Sequence, residues 1–111
     1  MYSDLIIHYL EMIKVEDRVS PKRYNDCIMA GYGMQRSLML INNDSVLYSV
    51  VGSPYLMAMT KWLQQELLVK NIKTLKQYNI SDLVLLFDLP AYKRQDALLI
   101  LELIQQVSYE S

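Results

Sequence analysis

Cysteine occurs once in this chain, at Cys27, and histidine once, at His8. A lone cysteine excludes an intrachain disulfide framework and cannot by itself make a cysteine-based metal site. A lone histidine is equally far from a catalytic zinc centre, which needs about three protein ligands, so His8 reads as a rim residue beside an apolar stripe. Glycine and proline occur three times each, and no glycine-rich phosphate loop is present. With one His and one Cys, no nucleophile–base spacing can be read, and no enzyme is expected. Long apolar runs are also missing. None approaches the roughly 20 residues of a membrane-spanning helix, and no basic segment followed by an apolar stretch opens the chain. Neither a membrane span nor a signal peptide is therefore expected, and the cytoplasm is the simplest compartment. Excess charge of one sign is absent too: 11 basic and 12 acidic residues leave a formal net charge of −1. That balance offers no general attraction to nucleic acid or to an anionic membrane.

What remains is an ordinary globular composition, 52% hydrophobic and 21% charged over 111 residues, enough for a single domain, 1–111, around one core. Residues Tyr2 to Ile13 read as a helix, with Ser3 as N-cap, Asp4 in the first turn, and Leu5, Ile6, Tyr9, Leu10 and Ile13 at helical spacing. Lys14 to Asp26 is charged, contains Pro21, has no period, and reads as a loop. Cys27 to Ala30 reads as a short strand. Arg36 to Ile41 and Ser45 to Val51 follow as two strands around the turn sequence Asn42-Asn43-Asp44, with one face expected to be covered by helices.

Gly52-Ser53-Pro54 is the clearest local signal. Glycine permits a bend, serine can cap free N–H groups, and proline suits the first helical position. The helix it opens runs to about Lys70, with Leu56, Met59, Leu63 and Leu67 on one stripe and Trp62 beside it. Ile72 to Tyr78 reads as a short helix, and Ser81 as the cap of another over Asp82 to Asp88. The apolar segment Leu83 to Leu89 stops at Pro90, because proline lacks an N–H and restricts the residue before it. Tyr92, Lys93, Arg94 and Gln95 then form an exposed corner before a last helix, Lys93 to Val107, in whose first turns Asp96 stands. Ala97, Ile100, Leu101, Ile104 and Val107 give that helix an apolar stripe. From spacing alone the corner is an ordinary helix–helix connection.

The corner Leu89-Pro90-Ala91-Tyr92-Lys93 resembles the Leu-Pro-Pro-Val-Lys corner of the NifU N-terminal domain/IscU family of iron–sulfur cluster scaffolds. Gly52-Ser53 resembles the Gly-Cys pair that opens the same helix there. Met1-Tyr2-Ser3 and His8-Tyr9 are similar to the family's N-terminal start, and the match runs with almost no gaps from Gly52 to about Val107. The resemblance implies an α+β fold, a small antiparallel β-sheet packed against helices in the NifU/IscU (SufE-like) architecture. It also implies a ligand set whose positions are filled here by other residues: Gly31 within Gly31-Tyr32-Gly33, Ser53, Gln95 and Asp96. Thiolates are the soft ligands such clusters require, whereas Asp96 is a hard oxygen ligand. An iron or iron–sulfur cluster is thus the family expectation, and with those ligands replaced no cofactor is expected.

The function implied is a scaffold-like protein of iron–sulfur cluster assembly that has lost its cysteine ligands and binds partners. Leu89, Pro90, Ala91, Tyr92, Lys93 and Arg94 form the expected contact surface, and the family's partners are a cysteine desulfurase and an Hsp70-type chaperone. The alternative is an iron, zinc or cluster protein using non-cysteine ligands such as Asp96, or a homodimer pooling Cys27, His8 and Asp96 across its interface. A helix-turn-helix made from Ser81–Asp88 and Lys93–Val107 is disfavoured, because the last helix is apolar from Ala97 onward and a recognition helix needs polar side chains for base edges. No nucleic-acid or membrane partner is expected.

Overall fold

A computed structural model of the chain describes residues 2–107. Met1 of the Met1-Tyr2-Ser3 start and residues 108–111 of the expected domain lie outside them. The first helix, α1 (Asp4–Glu11), is capped by Ser3, whose hydroxyl accepts from the Ile6 N–H and donates to the Phe87 carbonyl at 2.8 Å. One serine therefore both starts a helix and ties it to a distant one. The helix is shorter than the expected Tyr2–Ile13, since the chain turns at Met12.

Three strands follow: β1 (Ile28–Tyr32), β2 (Gln35–Ile41) and β3 (Val46–Val51), in antiparallel order β1-β2-β3. Tyr32 pairs with Gln35 across a Gly33-Met34 turn. Gly31 and Gly33 both have left-handed φ, +81° and +61°, which side chains disfavour. Helices α2 (Pro54–Leu68) and α5 (Arg94–Gln106) lie on one face, with α3 (Ile72–Leu75) and α4 (Ile80–Phe87) between them in sequence. The chain is thus an α+β fold, a three-stranded antiparallel sheet packed against helices. The core lies between sheet and helices and takes in the whole expected α2 stripe, Leu56, Met59, Leu63 and Leu67, together with Trp62 and Phe87. No helix among the described residues is long and apolar enough to cross a membrane.

Three sequence expectations are corrected. The segment Lys14–Asp26 is not an open loop. It forms 3-10 turns over Val15–Asp17 and Pro21–Asp26, pairs with the edge of β3 through the Val19 N–H and the Tyr48 carbonyl, and holds the Tyr24 hydroxyl against Ser49. The sheet is consequently covered on both faces at its centre, where Ser37, Leu38, Met39 and Leu40 are buried in succession. A strand buried on both sides loses the alternation that marks a half-exposed one, and β2 accordingly reads Leu38-Met39-Leu40-Ile41 without a break. The strap is fastened by Lys61, a buried lysine on α2 whose ammonium donates to Asp17 at 2.8 Å and to the Gln64 amide oxygen at 2.7 Å.

The second correction concerns α4. Its cap is Asn79, not Ser81, and the Asn79 and Asp82 side chains each accept from the other's backbone N–H at 2.9 Å. This reciprocal box satisfies two free N–H groups at once, and Ser81 falls inside the helix. The third concerns what stops the segment Leu83–Leu89, since the helix itself ends at Asp88 as expected. Asp88 takes a left-handed conformation (φ 52°, ψ 51°), and the Leu89 N–H reaches back to the Val84 carbonyl at 3.0 Å, so α4 is closed before Pro90 is reached. Pro90 instead precedes a 3-10 turn, Ala91–Lys93, that leads into α5.

Candidate functional site

The sheet's β1–β2 turn, the start of α2 and the start of α5 meet at one end of the molecule. Ser53, as N-cap of α2, accepts from the Leu56 N–H at 3.3 Å and donates its own proton to Asp96 Oδ2 at 2.6 Å. Asp96, in the first turn of α5, is completely buried. Its other oxygen, Oδ1, accepts from the Gln35 side-chain amide at the first position of β2. A carboxylate is favourable at this place because it lies in the positive end of its own helix and receives a hydrogen bond from the cap of another. Buried charge is costly unless hydrogen-bonded, and here both oxygens have a donor. The result is a three-residue polar lock joining β2, α2 and α5.

Gly31 stands beside this lock on β1, opposite Arg36. A β-carbon there would run into the Gln35 carbonyl oxygen and lie 3.0 Å from the Arg36 α-carbon. The backbone therefore occupies the space that a ligand side chain at position 31 would need. Of the four positions implied by the resemblance, Ser53 and Asp96 come together, and Gly31 lies against the backbone of Gln35, whose side chain joins them. Gln95 stands apart: it is exposed in the first turn of α5, one residue ahead of the buried Asp96. Gln35 is the member that sequence reasoning missed, since it makes its contact with a residue 61 positions away. No local pattern carries that signal.

The corner stands next to the lock. Leu89 is only 6% exposed and belongs to the core, a correction to its place among the partner-contacting residues. Its side chain anchors the turn instead of being displayed. Pro90 and Lys93 are half-buried, Ala91 and Arg94 are exposed, and Tyr92 is 77% exposed. Lys93 Nζ sits 5.8 Å from the centre of the Tyr92 ring and 6.0 Å from that of Tyr55, within the range of cation–π attraction. Tyr55 also meets Tyr2 edge to face, with ring centres 4.9 Å apart. Its phenol is pushed up from the ordinary value by burial first, then by Tyr92, Tyr2 and Asp88. Lys93 and Ser53 line an open hollow of about 360 Å³ with Met34, Gln35, Val51 and Gly52.

The remaining candidates lie elsewhere. Cys27 precedes β1 at the end away from Gly31, and its thiol donates to the Arg23 carbonyl at 3.4 Å. Gly31 is four steps further along the chain, roughly 13 Å at a strand's rise of about 3.3 Å per residue. Burial and the Asp26 charge push the Cys27 thiol up, against a smaller opposing effect of Arg23. His8 is exposed on α1, edge to face with Tyr9. Among the described residues no three His, Cys, Asp or Glu side chains are grouped to hold a metal ion. No protein-family model and no curated protein matches the chain.

Proposed function

We propose that this chain is a scaffold-like member of the iron–sulfur assembly system, built on the NifU/IscU (SufE-like) architecture, in which the ligand site is filled by a polar lock and the exposed corner binds a protein partner. One observation carries the reading. Ser53 and Asp96, 43 positions apart in sequence, meet directly, Gln35 joins them with its backbone against Gly31, and that point adjoins the corner whose sequence carries the resemblance. In place of soft ligands stand a backbone carbonyl, a hydroxyl and a hydrogen-bonded carboxylate, a set with little affinity for iron–sulfide chemistry. The partners this reading names are a cysteine desulfurase or an Hsp70-type chaperone, met in the cytoplasm. The test is co-purification of the tagged chain with each purified candidate, beside a Tyr92→Ala variant. Retention of one partner, weakened in the variant, is the expected result. Retention of neither above an untagged control overturns the reading.

An iron or zinc site built on Asp96 is the second reading, and the complete burial of that carboxylate without an ammonium or guanidinium partner among the described residues favours it. Against it stand the two hydrogen bonds already made by its oxygens. A metal would have to displace Gln35 or Ser53 and find further ligands. A homodimer pooling Cys27, His8 and Asp96 would have to bring a completely buried carboxylate to its interface.

A further inference from the structure

We propose that the hollow between the β1–β2 turn and the corner, with the apolar and cationic side chains around it, docks an acidic, apolar segment of a partner protein. The inference rests on the partner-binding reading and adds the chemistry of what is bound. Two of the most exposed large apolar side chains in the described residues, Tyr32 at 88% and Met34 at 83%, sit on the turn. Tyr92 stands on the corner opposite, and the hollow joins the two through Met34 and Lys93. Methionine and tyrosine are the side chains that interfaces favour, because they cover area at low entropic cost or adapt their shape.

The charged side chain lining the hollow is a cation, Lys93, and two more, Arg36 and Arg94, directly follow the lining residues Gln35 and Lys93 in the chain. The ion pairs among the described residues are Arg23–Asp26 and Lys61–Asp17. Arg36, Lys93 and Arg94 therefore have no carboxylate partner among them, and the Arg36 guanidinium is held over the turn by the Gly33 carbonyl at 3.2 Å. The nearest acids do not cancel these cations. Asp96 is buried and committed to Ser53 and Gln35, and Asp88, which acts on Tyr55, forms no ion pair with them among the described residues. In a chain of net charge −1, a local cationic rim around apolar side chains selects a segment carrying carboxylates. Three cations are too few for nucleic acid, whose binders neutralise on the order of 6–10 phosphates. They also fall short of the clusters of about 4–8 basic residues that hold a protein to anionic lipid.

The experiment is fluorescence anisotropy of a short labelled peptide alternating glutamate and leucine, titrated with the full chain at low ionic strength. Saturable binding is expected. It should weaken about tenfold in a Lys93→Gln/Arg94→Gln variant, the loss that two exposed ion pairs amount to, and severalfold in Met34→Ser. The glutamines keep much of the side-chain length, so packing on Tyr55 and Tyr92 is retained. Lys73→Gln/Lys76→Gln, near α3, should bind as the wild type does. No binding, equal binding of a lysine–leucine peptide, or equal loss in the α3 variant overturns the proposal. So does attachment to phosphatidylserine vesicles through Lys93 and Arg94 in the absence of peptide binding. Peptide binding with neither assembly protein retained would sink the proposed function and leave this surface standing. A retained desulfurase or chaperone insensitive to Lys93→Gln/Arg94→Gln would do the reverse.

Discussion

Removing the Asp96 carboxylate should destabilise the fold by about 2–4 kcal/mol. The figure follows from what the side chain does. Each hydrogen bond to a charged group is worth about 1.5–3 kcal/mol net, and Asp96 accepts two, from Ser53 and Gln35. Against their loss stands the desolvation that the buried charge no longer has to bear. Asp96→Ala also leaves the Gln35 amide and the Ser53 hydroxyl with a donor each and no acceptor, and opens a small cavity. Ser53→Ala loses the α2 cap, about 1 kcal/mol, and one donor to the carboxylate. The two changes share a bond, so the double variant should be less destabilised than the sum of the singles by about 1–2 kcal/mol. Asp96→Asn should cost less than Asp96→Ala, because Gln35 can turn its amide over and accept. Equilibrium urea unfolding with a common slope measures all four. An Asp96→Ala cost within about 0.5 kcal/mol of zero, or additivity of the two single changes to about 0.5 kcal/mol, would refute the lock.

Gly31→Ala should be severely destabilising, because left-handed strain is joined by collision with the Gln35 backbone. Gly33→Ala, where a β-carbon meets nothing within 4 Å, should cost only the backbone term, about 1 kcal/mol; equal losses in thermal unfolding would contradict the close approach. Tyr48→Phe should be neutral or stabilising by up to about 1 kcal/mol, since the buried Tyr48 hydroxyl has no well-formed hydrogen bond and an unsatisfied group costs free energy. Loss of more than about 1 kcal/mol would mean that the nearby Lys14 backbone or a water holds that hydroxyl. Stability should also fall at alkaline pH. Burial raises Cys27 above the ordinary thiol value of 9.0, and Tyr9, Tyr48 and Tyr55 above the ordinary phenol value of 10.0. The unfolded chain then loses these protons first, so the stability they contribute is intact below the ordinary values and lost as pH rises through the raised ones. Chemical denaturation in steps from neutral to alkaline pH reads this directly, and a flat profile would contradict it.

The parts of the fold that were legible in the sequence are those fixed by local chemistry. Ser3 and Ser53 cap the helices their positions suggest, and Leu56, Met59, Trp62, Leu63 and Leu67 are buried together. The turn at Asn42-Asn43-Asp44 joins two strands as expected. Where the reading failed, a competing local signal or a distant partner decided. Ser81 looked like a cap, but Asn79 has an acid three residues on and Ser81 does not, so the box forms at Asn79. The strap Val15–Asp26 shows no period because its order comes from β3 and from the buried Lys61, not from itself. In the candidate site, the resemblance pointed to Ser53 and Asp96, which meet, and to Gln95, which turns outward while Asp96 turns in. Gln35 could not be found from sequence, because a polar residue at a strand's start has no mark that separates a solvated side chain from one reaching across the fold.

The most direct measurement is metal content and visible absorbance of the anaerobically purified chain, before and after adding iron and sulfide, beside Asp96→Ala. If hydrogen bonds fill the site, the protein should hold no stoichiometric iron and show no cluster band in either form. Stoichiometric metal with a cluster band that disappears in Asp96→Ala would contradict this, and would mean that the carboxylate at the start of α5 still serves as a ligand.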